Sequence, residues 1–294
     1  MTSVTERAYA KINLYIDILG IREEDGFHEI KTVMHTVSLC DDVRVSIKTA
    51  RCCSVTLTCE GNPYLPQDGR NLAVKAAELF LERLGANAAV SIKLTKRIPV
   101  AAGLAGGSSD AAAVLRAMNR LFRRPFTKAA LCEMGAVLGS DVPYCIIGKT
   151  VLCTGRGEIM QPIATDLKLH TVIAIADEHV STAEAYRTLD TCYANFDGSV
   201  STGGESCYSH LESALICSEI DPRGIFNSFE KAMLPLCPGA EAIKADMISF
   251  GARAAAMSGS GPSVFGIFPS GAEALIARDA LLSKGFSAFY AKSV

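Results

Sequence analysis

A glycine-rich segment with two adjacent serines stands at residues 99–110, where the sequence reads PVAAGLAGGSSD. It follows an alternating apolar stretch and leads into apolar residues at helical spacing. Gly103, Gly106 and Gly107 can adopt positive φ and let a ligand approach the backbone closely. A glycine-rich turn that opens onto a helix N-terminus presents N–H groups and the positive end of the helix dipole, so this segment is suited to binding phosphate.

The end of this segment predicts where the helix begins. Ser108, Ser109 and Asp110 have side chains typical of an N-cap, so we expect the helix to start among them. The segment lacks the Gly-Lys-Ser/Thr ending of a Walker loop, and Ala105 stands where a dinucleotide fingerprint requires its second glycine. Either a different kind of phosphate loop or an ordinary strand–turn–helix joint remains.

A possible general base lies in the sequence GSDVP at residues 139–143. A base that accepts a hydroxyl proton must be a carboxylate held rigidly at the site, and Asp141 follows a predicted helix in a short turn. Pro143 favours an extended conformation at Val142. The alternative is an Asx-turn residue without a chemical role.

A lysine and an asparagine share one face of a predicted strand at residues 8–19. Apolar and polar residues alternate there, which predicts a half-buried strand with Lys11 and Asn13 on its polar side. Both side chains therefore point in the same direction. Without other evidence, each is as well explained as a solvated surface residue.

The sequence also predicts the helices, strands and loops that position these residues. Asn71 is expected to begin a helix that ends at Gly85, and Thr127 one that ends at Gly139. Residues 144–147 and 150–153 are expected to form a hairpin that turns at 148–149. Residues 191–210, rich in Gly, Ser, Tyr and Cys, are expected to form a loop. The mixture indicates an α+β protein with two lobes and a boundary near 155–165.

Composition limits the classes of function. The chain has 294 residues, a net charge of −2 and 49% hydrophobic residues, which indicates a globular protein and argues against a nucleic-acid binder. No apolar run approaches the ~20 residues of a membrane span, and the N-terminus lacks a signal-peptide core. Eleven scattered cysteines without a Cys-x-x-Cys pair argue against a zinc framework. We expect a reduced, cytoplasmic protein with no nucleic-acid or membrane partner.

The motifs together resemble those of the GHMP kinases, the family named for galactokinase, homoserine kinase, mevalonate kinase and phosphomevalonate kinase. The sequences KINL (11–14), GLAGGSSDAA (103–112), GSDVP and SGSGPS (258–263) occur in the family's order. DGFHEI (25–30) and GSDVP are the more discriminating, and the resemblance spans essentially the whole chain. The family often has Tyr where this chain has Phe27.

The resemblance implies the GHMP kinase fold, with two α+β lobes and the active site in the cleft between them. It implies an N-terminal domain at 1–158, which carries the phosphate loop and the catalytic Asp, and a ferredoxin-like C-terminal domain at 159–294. It implies transfer of the ATP γ-phosphoryl group, with Mg²⁺, to the 2-hydroxyl of a cytidine-diphosphate-linked methylerythritol. The expected binding partners are these small molecules. The protein is expected to be a monomer or a weak homodimer.

The resemblance also implies roles for individual residues. Asp141 would accept the hydroxyl proton, and Lys11 would lie beside it and stabilise the attacking oxygen. The substrate would contact Asn13, Phe27, His28 and Thr182, with Phe27 stacked on cytosine. Ser109 is the candidate Mg²⁺ ligand. The predicted ATP contacts are Asn71, Lys96, Pro99, Val100, Ala101, Ala102, Gly103, Leu104, Ala105, Gly106, Gly107, Ser108 and Ser109.

Two alternatives remain at this point. The chain could be another GHMP kinase that acts on mevalonate, its phosphates or homoserine, although DGFH and GSDVP argue against this. It could also be a ligand-binding protein without catalytic activity, although such a protein is expected to have lost Lys11, Asp141 or the glycines.

Overall fold

The structure, a computed structural model, describes residues 2–178, 181–192 and 204–294. These residues divide into two units. The first contains the segments up to Ala10, Cys40–Val100 and Ala105–Gly148, and the second contains Lys11–Leu39, Ala101–Leu104 and Lys149–Val294. The predicted domain boundary at 158/159 stays a prediction.

Strands and helices are mixed along the chain, as expected for an α+β protein. The strands are β1 (Thr2–Ile21), β2 (His28–Thr49), β3 (Ser54–Glu60), β4 (Ala88–Thr95), β5 (Thr150–Thr154), β6 (Ile159–Pro162), β7 (His170–Ile175), β8 (Phe226–Asn227), β9 (Ala254–Met257), β10 (Ser263–Phe268) and β11 (Ser287–Lys292). The helices are α1 (Leu72–Leu84), α2 (Gly106–Leu121), α3 (Lys128–Leu138), α4 (Val142–Ile147), α5 (Thr182–Cys192), α6 (Gly204–Ile216), α7 (Glu230–Met233), α8 (Pro238–Ser249) and α9 (Gly271–Ser283).

Among the described residues, two sheets are formed. The larger has the strand order β3-β4-β2-β1-β8, with β5 beside β2 and β6 beside β5. The smaller has the order β11-β7-β10-β9. Strands β1 and β2 each contribute residues to both units.

In the first unit, helices pack on the sheet and on one another. Strand β4 pairs antiparallel with residues 42–49 of β2 and parallel with β3. Helix α1 packs on β3 and β4, and α2 and α3 pack against α1 and against each other. Together they bury alanine and larger apolar side chains, with Phe80 and Met118 fully buried. The caps of α1 and α3 confirm the predicted starts, since Asn71 Oδ1 accepts from Ala73 N at 2.9 Å and Thr127 Oγ1 accepts from Ala130 N at 3.2 Å.

In the second unit, the four-stranded sheet is antiparallel throughout. Helices lie between β7 and β9 and between β10 and β11, which gives the β-α-β-β-α-β order of a ferredoxin-like arrangement. Its core packs Val172, Phe229, Met247 and Leu281. No helix in the described part of the chain is both long and apolar enough to cross a bilayer.

Two local predictions were wrong. Residues 144–147 belong to helix α4, because Pro143 lies in the first helical turn, where no amide hydrogen is required. Residues 191–192 belong to α5 and 204–210 to α6, instead of a loop; the rest of that predicted loop lies outside the described residues.

Candidate active site

The helix that follows the glycine-rich loop begins earlier in the chain than the serines predicted. Helix α2 begins at Gly106 with Ala105 as its N-cap, and Ala105 makes no side-chain capping bond. Positive φ occurs at Ala101 (55°), Gly103 (71°) and Ala105 (56°), whereas Gly106 and Gly107 are helical. The expected N-cap at 108–110 is therefore wrong, and of the three glycines able to adopt positive φ only Gly103 does so.

Glycine is required at position 103 because another part of the protein's own backbone lies too close for a side chain. A Cβ atom at this position would lie 2.1 Å from the carbonyl oxygen of Ser258. The Gly103 carbonyl accepts hydrogen bonds from Ser258 Oγ at 3.0 Å and from Lys11 Nζ at 2.7 Å. Ser263 Oγ donates to the carbonyl of Ala102. Residues 101–104 are therefore held by β1 and by the SGSGPS segment.

The N-terminus of α2 has the groups that bind an anion. The first helical N–H groups, from Gly106 onward, have no carbonyl partner within the helix, while Ser109 N already bonds to Ala105 O at 2.8 Å. Gly107 is exposed and Ser108 half-buried. This end of the helix can thus receive phosphate oxygens.

Ser109 and Asp110 are used inside the first unit. Ser109 is buried, and its hydroxyl donates to Tyr9 O at 2.7 Å. Asp110 accepts from Lys96 Nζ at 2.9 Å, and the same ammonium donates to Asp41 at 2.5 Å. These partners explain why neither side chain caps α2.

Asp41, Lys96 and Asp110 form a buried charged cluster, which we call the Lys96 triad. Asp41 also accepts from the backbone amides of Arg97 and Ile98. Burial raises the pKa of Asp110 to about 8, although Lys96 opposes this shift. Burial alone would lower the pKa of Lys96, but Asp110 and Asp41 outweigh burial and raise it.

The Lys96 triad lies beneath the start of α2. A Cβ atom on Gly106 would lie 3.0 Å from Ile98 Cγ2 and 3.3 Å from Lys96 Nζ. Glycine at 106 therefore lets the helix approach Lys96 closely. Because the ammonium is committed to two buried carboxyl groups, a contact of Lys96 with adenosine stays a prediction. Asn71 is placed as the α1 cap, and its adenosine contact also stays a prediction.

Lys11 and Asn13 are brought together, but not on a solvated surface. Their exposed fractions are 4% and 2%, because both faces of β1 are covered here. Lys11 Nζ donates to Asn13 Oδ1 at 2.6 Å. Asn13 Nδ2 donates to Thr32 Oγ1 at 2.8 Å, and that hydroxyl donates to Tyr15 O at 2.7 Å. This chain of bonds fixes the position of the Lys11 ammonium.

Asp141 occupies the N-cap position of α4, directly before Val142. Its side chain makes no capping hydrogen bond, so the turn does not use this carboxylate. The Asx-turn alternative is therefore not supported. Asp141 belongs to the first unit and Lys11 to the second, and their pairing stays a prediction.

Phe27 and His28 lie at the end of the turn between β1 and β2. The residue Phe27 is 54% exposed, and the guanidinium of Arg156 lies 4.3 Å from the centroid of its ring. His28 Nε2 lies 2.7 Å from Asp190 Oδ1, and its ring centroid lies 4.5 Å from that of Tyr186. The exposed Phe27 ring can receive a stacking partner.

Sequence reasoning missed Tyr186 and Asp190. They are far from His28 along the chain, but their own spacing of i, i+4 places them on one face of α5. That spacing predicts a shared partner without identifying it. Thr182 begins the same helix, and its hydroxyl lies 3.3 Å from Ser260 Oγ in the SGSGPS segment.

Two family models match this chain. Residues 71–149 match the GHMP kinases N terminal domain, and residues 215–288 match the GHMP kinases C terminal family. The first match contains the N-terminus of α2 and Asp141. The second contains the SGSGPS segment.

Full-length relatives narrow the family. A 4-diphosphocytidyl-2-C-methyl-D-erythritol kinase from Gloeobacter violaceus is 42% identical over 91% of this chain and 86% of the relative. One from Clostridium botulinum is 36% identical over 98% of this chain and 99% of the relative. A crystal structure of a 4-(cytidine 5'-diphospho)-2C-methyl-D-erythritol kinase has a TM-score of 0.79 at 31% identity, covering 98% of both chains. This chain belongs to the GHMP kinases and, within them, to the family of 4-diphosphocytidyl-2-C-methyl-D-erythritol kinases.

Proposed function

We propose that this enzyme transfers the γ-phosphoryl group of ATP to the 2-hydroxyl of 4-diphosphocytidyl-2-C-methyl-D-erythritol, giving the 2-phosphate and ADP. This is a step of the non-mevalonate route to isoprenoid precursors. The observation that carries the proposal is the identity of about two residues in five with kinases of that name over nearly their whole length. The presence of Lys11, Asp141 and the glycine-rich loop supports catalytic activity over ligand binding alone.

The N-terminus of α2 would hold the triphosphate. Phosphoryl transfer depends mainly on positioning and on stabilising charge on the transferred group and the attacking oxygen. The N–H groups of Gly106, Gly107 and Ser108 supply donors, and the helix dipole favours anions there. The remaining loop residues, from Pro99 to Ala105, would contact ATP chiefly through their backbone.

Asp141 would accept the proton of the acceptor hydroxyl. Its carboxylate is not consumed by the α4 cap, and it accepts one proton as the oxygen attacks the γ-phosphorus. Lys11 would stabilise the charge that develops on the attacking oxygen, because Asn13 and Gly103 fix the position of its ammonium.

Mg²⁺ would arrive with ATP and neutralise phosphate charge. The described residues contain no group of three or more His, Cys, Asp or Glu side chains suited to a metal, which fits an ion held largely by phosphates and water. Ser109 remains the predicted ligand, although its hydroxyl hydrogen is directed at Tyr9 O. Ser108 is the better exposed hydroxyl of this turn.

The acceptor would be recognised at two places in the second unit. Phe27 would stack on the cytosine and His28 would read its polar edge. Thr182, next to Ser260, would contact the diphosphate. Because these ligands are small and water-soluble, we propose a cytoplasmic enzyme. We also propose that it works as a monomer or weak homodimer, and sedimentation velocity tests this.

Product identification tests the proposal directly. The purified protein with Mg²⁺-ATP is given the cytidylylated methylerythritol, mevalonate or homoserine in parallel, and products are identified by phosphorus NMR and mass spectrometry. We expect the 2-phosphate from the cytidylyl compound and none from the others. Turnover of mevalonate or homoserine alone would contradict the assignment, and the folded variant Asp141→Asn controls for contaminating kinases.

A further inference from the structure

The His28 imidazole is held on one face and at one edge. Its face lies against Tyr186, with an interplanar angle of 31°. Tyr186 in turn contacts Phe229 edge-on at 5.0 Å. At the ring edge, Nε2 lies 2.7 Å from Asp190 Oδ1, and the His28 side chain is only 14% exposed. The ring therefore has little freedom to turn over.

The contact with Asp190 determines which ring nitrogen carries the proton. An ionised carboxylate has acceptors only, so Nε2 must donate to Asp190. In a neutral imidazole with the proton on Nε2, Nδ1 has a lone pair and can only accept. Within the described residues, no hydrogen-bond partner is found for Nδ1, so this acceptor can take a hydrogen bond from a ligand.

We infer that Asp190 is a positioning residue that makes His28 Nδ1 a hydrogen-bond acceptor and thereby selects cytosine over uracil. The inference rests on the proposed function, because it takes the base of the acceptor substrate to lie against His28. At the exocyclic position where the two bases differ, cytosine has an amino group that donates and uracil has a carbonyl that accepts. At the adjacent ring nitrogen the roles are reversed, so the inference places Nδ1 against the exocyclic group. An acceptor at Nδ1 bonds to the amino group and is left unpaired against the carbonyl.

Substitutions at Asp190 separate this role from a structural one. In Asp190→Asn, the side chain has nearly the same shape, but its amide both donates and accepts, so it holds either tautomer of His28. Glu184→Gln is the matched control, since Glu184 is an exposed acid on the same helix, α5. Circular dichroism and thermal unfolding verify that both variants are folded.

Kinetics give the first readout. We expect the wild-type protein to prefer the cytidine substrate over its uridine analogue in kcat/KM by at least ~10²-fold, since a site left with an unpaired polar group rejects the analogue strongly. Asp190→Asn should reduce this preference by at least ~10-fold, with the change mainly in KM. Glu184→Gln should keep the full preference. An unchanged preference in Asp190→Asn would overturn the inference.

NMR gives a readout that needs no activity. With ¹⁵N-labelled histidine at pH 8.5, long-range ¹H–¹⁵N correlation reports the tautomer of His28, assigned by comparison with His28→Gln. We expect the proton on Nε2 in the wild type and a mixture of tautomers in Asp190→Asn. A wild-type proton on Nδ1 would overturn the inference. If the wild type fails to phosphorylate the cytidine compound while NMR shows the proton on Nε2, the proposed function fails and the base selection fails with it, while the tautomer assignment stands.

Discussion

Two buried lysines of this enzyme are held in different ways. Lys96, in the first unit, donates to the carboxyl groups of Asp41 and Asp110. Lys11, in the second unit, donates to the amide oxygen of Asn13 and the carbonyl oxygen of Gly103. The contacts of Lys96 are made to carboxyl groups, whereas these two contacts of Lys11 are made to neutral oxygens that fix its position. We therefore expect Lys96 to support the structure, and the proposed function assigns Lys11 to the attacking oxygen.

The largest expected effect is on catalysis at Lys11 and Asp141. In the proposed mechanism, Lys11→Met removes the cation from the attacking oxygen, and Asp141→Asn keeps the shape but removes the base. Loss of a general base costs ~10²–10⁴ in rate, and loss of one group that stabilises developing charge costs about 10²–10³, so we expect kcat to fall by at least ~10²-fold in each variant. Calorimetry should show nearly unchanged ATP affinity. A folded Asp141→Asn variant with most of its activity would show that the carboxylate is not the base.

Lys96→Met tests the other side of the comparison. Removing one partner of a buried ion pair leaves an uncompensated charge and costs about 3–5 kcal/mol of stability. We expect a loss of this size in urea unfolding, with kcat changed much less than in Lys11→Met. Lys93→Met is the matched control on β4, because the Lys93–Glu60 pair is exposed and such pairs contribute up to about 1 kcal/mol. Equal losses of stability in Lys96→Met and Lys93→Met would contradict the expected difference between the buried and the exposed lysine.

The buried side chain of His35 extends the comparison of Lys96 and Lys11 to a neutral group. Its Nδ1 lies 2.9 Å from Thr150 Oγ1 and its Nε2 2.8 Å from Ser293 Oγ. Burial, aided by Lys168, lowers the pKa of His35 to about 4. The unfolded chain therefore binds this proton near pH 6.5 and the folded chain only near pH 4.

The stability from neutral His35 is complete above pH 6.5 and is lost as the pH falls toward 4. The difference between the two pKa values corresponds to about 3 kcal/mol. We expect the free energy of unfolding of the wild type to fall by about that much more than that of His35→Gln between pH 7 and pH 4, in parallel urea titrations. Superimposable pH profiles would show that His35 does not contribute.

The smallest effect distinguishes two neighbouring glycines. Gly106→Ala places a methyl group 3.0 Å from Ile98 and 3.3 Å from Lys96 Nζ, which should cost about 1–3 kcal/mol by overpacking. Gly107→Ala meets only Leu72, at 3.9 Å, and should be neutral or slightly stabilising. Thermal unfolding measures both, and calorimetry with ATP reports whether the exposed position 107 also approaches phosphate. Equal destabilisation would exclude close packing on Lys96 as the reason for Gly106.

Local signals in the sequence predicted much of the fold. The caps at Asn71 and Thr127 and the common direction of Lys11 and Asn13 depend on neighbours a few residues away, and the structure confirms them. The helix α4 was mistaken for a strand because a short apolar run fits both structures. Here Pro143 marked the first turn of a helix.

The missed parts of the site depend on distant residues. The burial of Lys11 follows from elements that cover β1, and the Lys96 triad needs Asp41, 55 residues before Lys96. Asp190 meets His28 across 162 residues. In each case the residue type was visible, but its partner is set by the topology. The predicted roles of the ATP-binding and substrate-binding residues stay predictions for the kinetic experiments above.

The contact between Gly103 and Ser258 also has a consequence for synthesis on the ribosome. The carbonyl of Gly103 is held by Ser258, and Ala102 by Ser263, in a chain of 294 residues. A nascent chain has made residues 101–104 long before the segment that fixes them is translated. Residues 101–104 therefore acquire these contacts only near the end of synthesis, and a prematurely terminated chain that lacks the last segment is expected to leave them without this support.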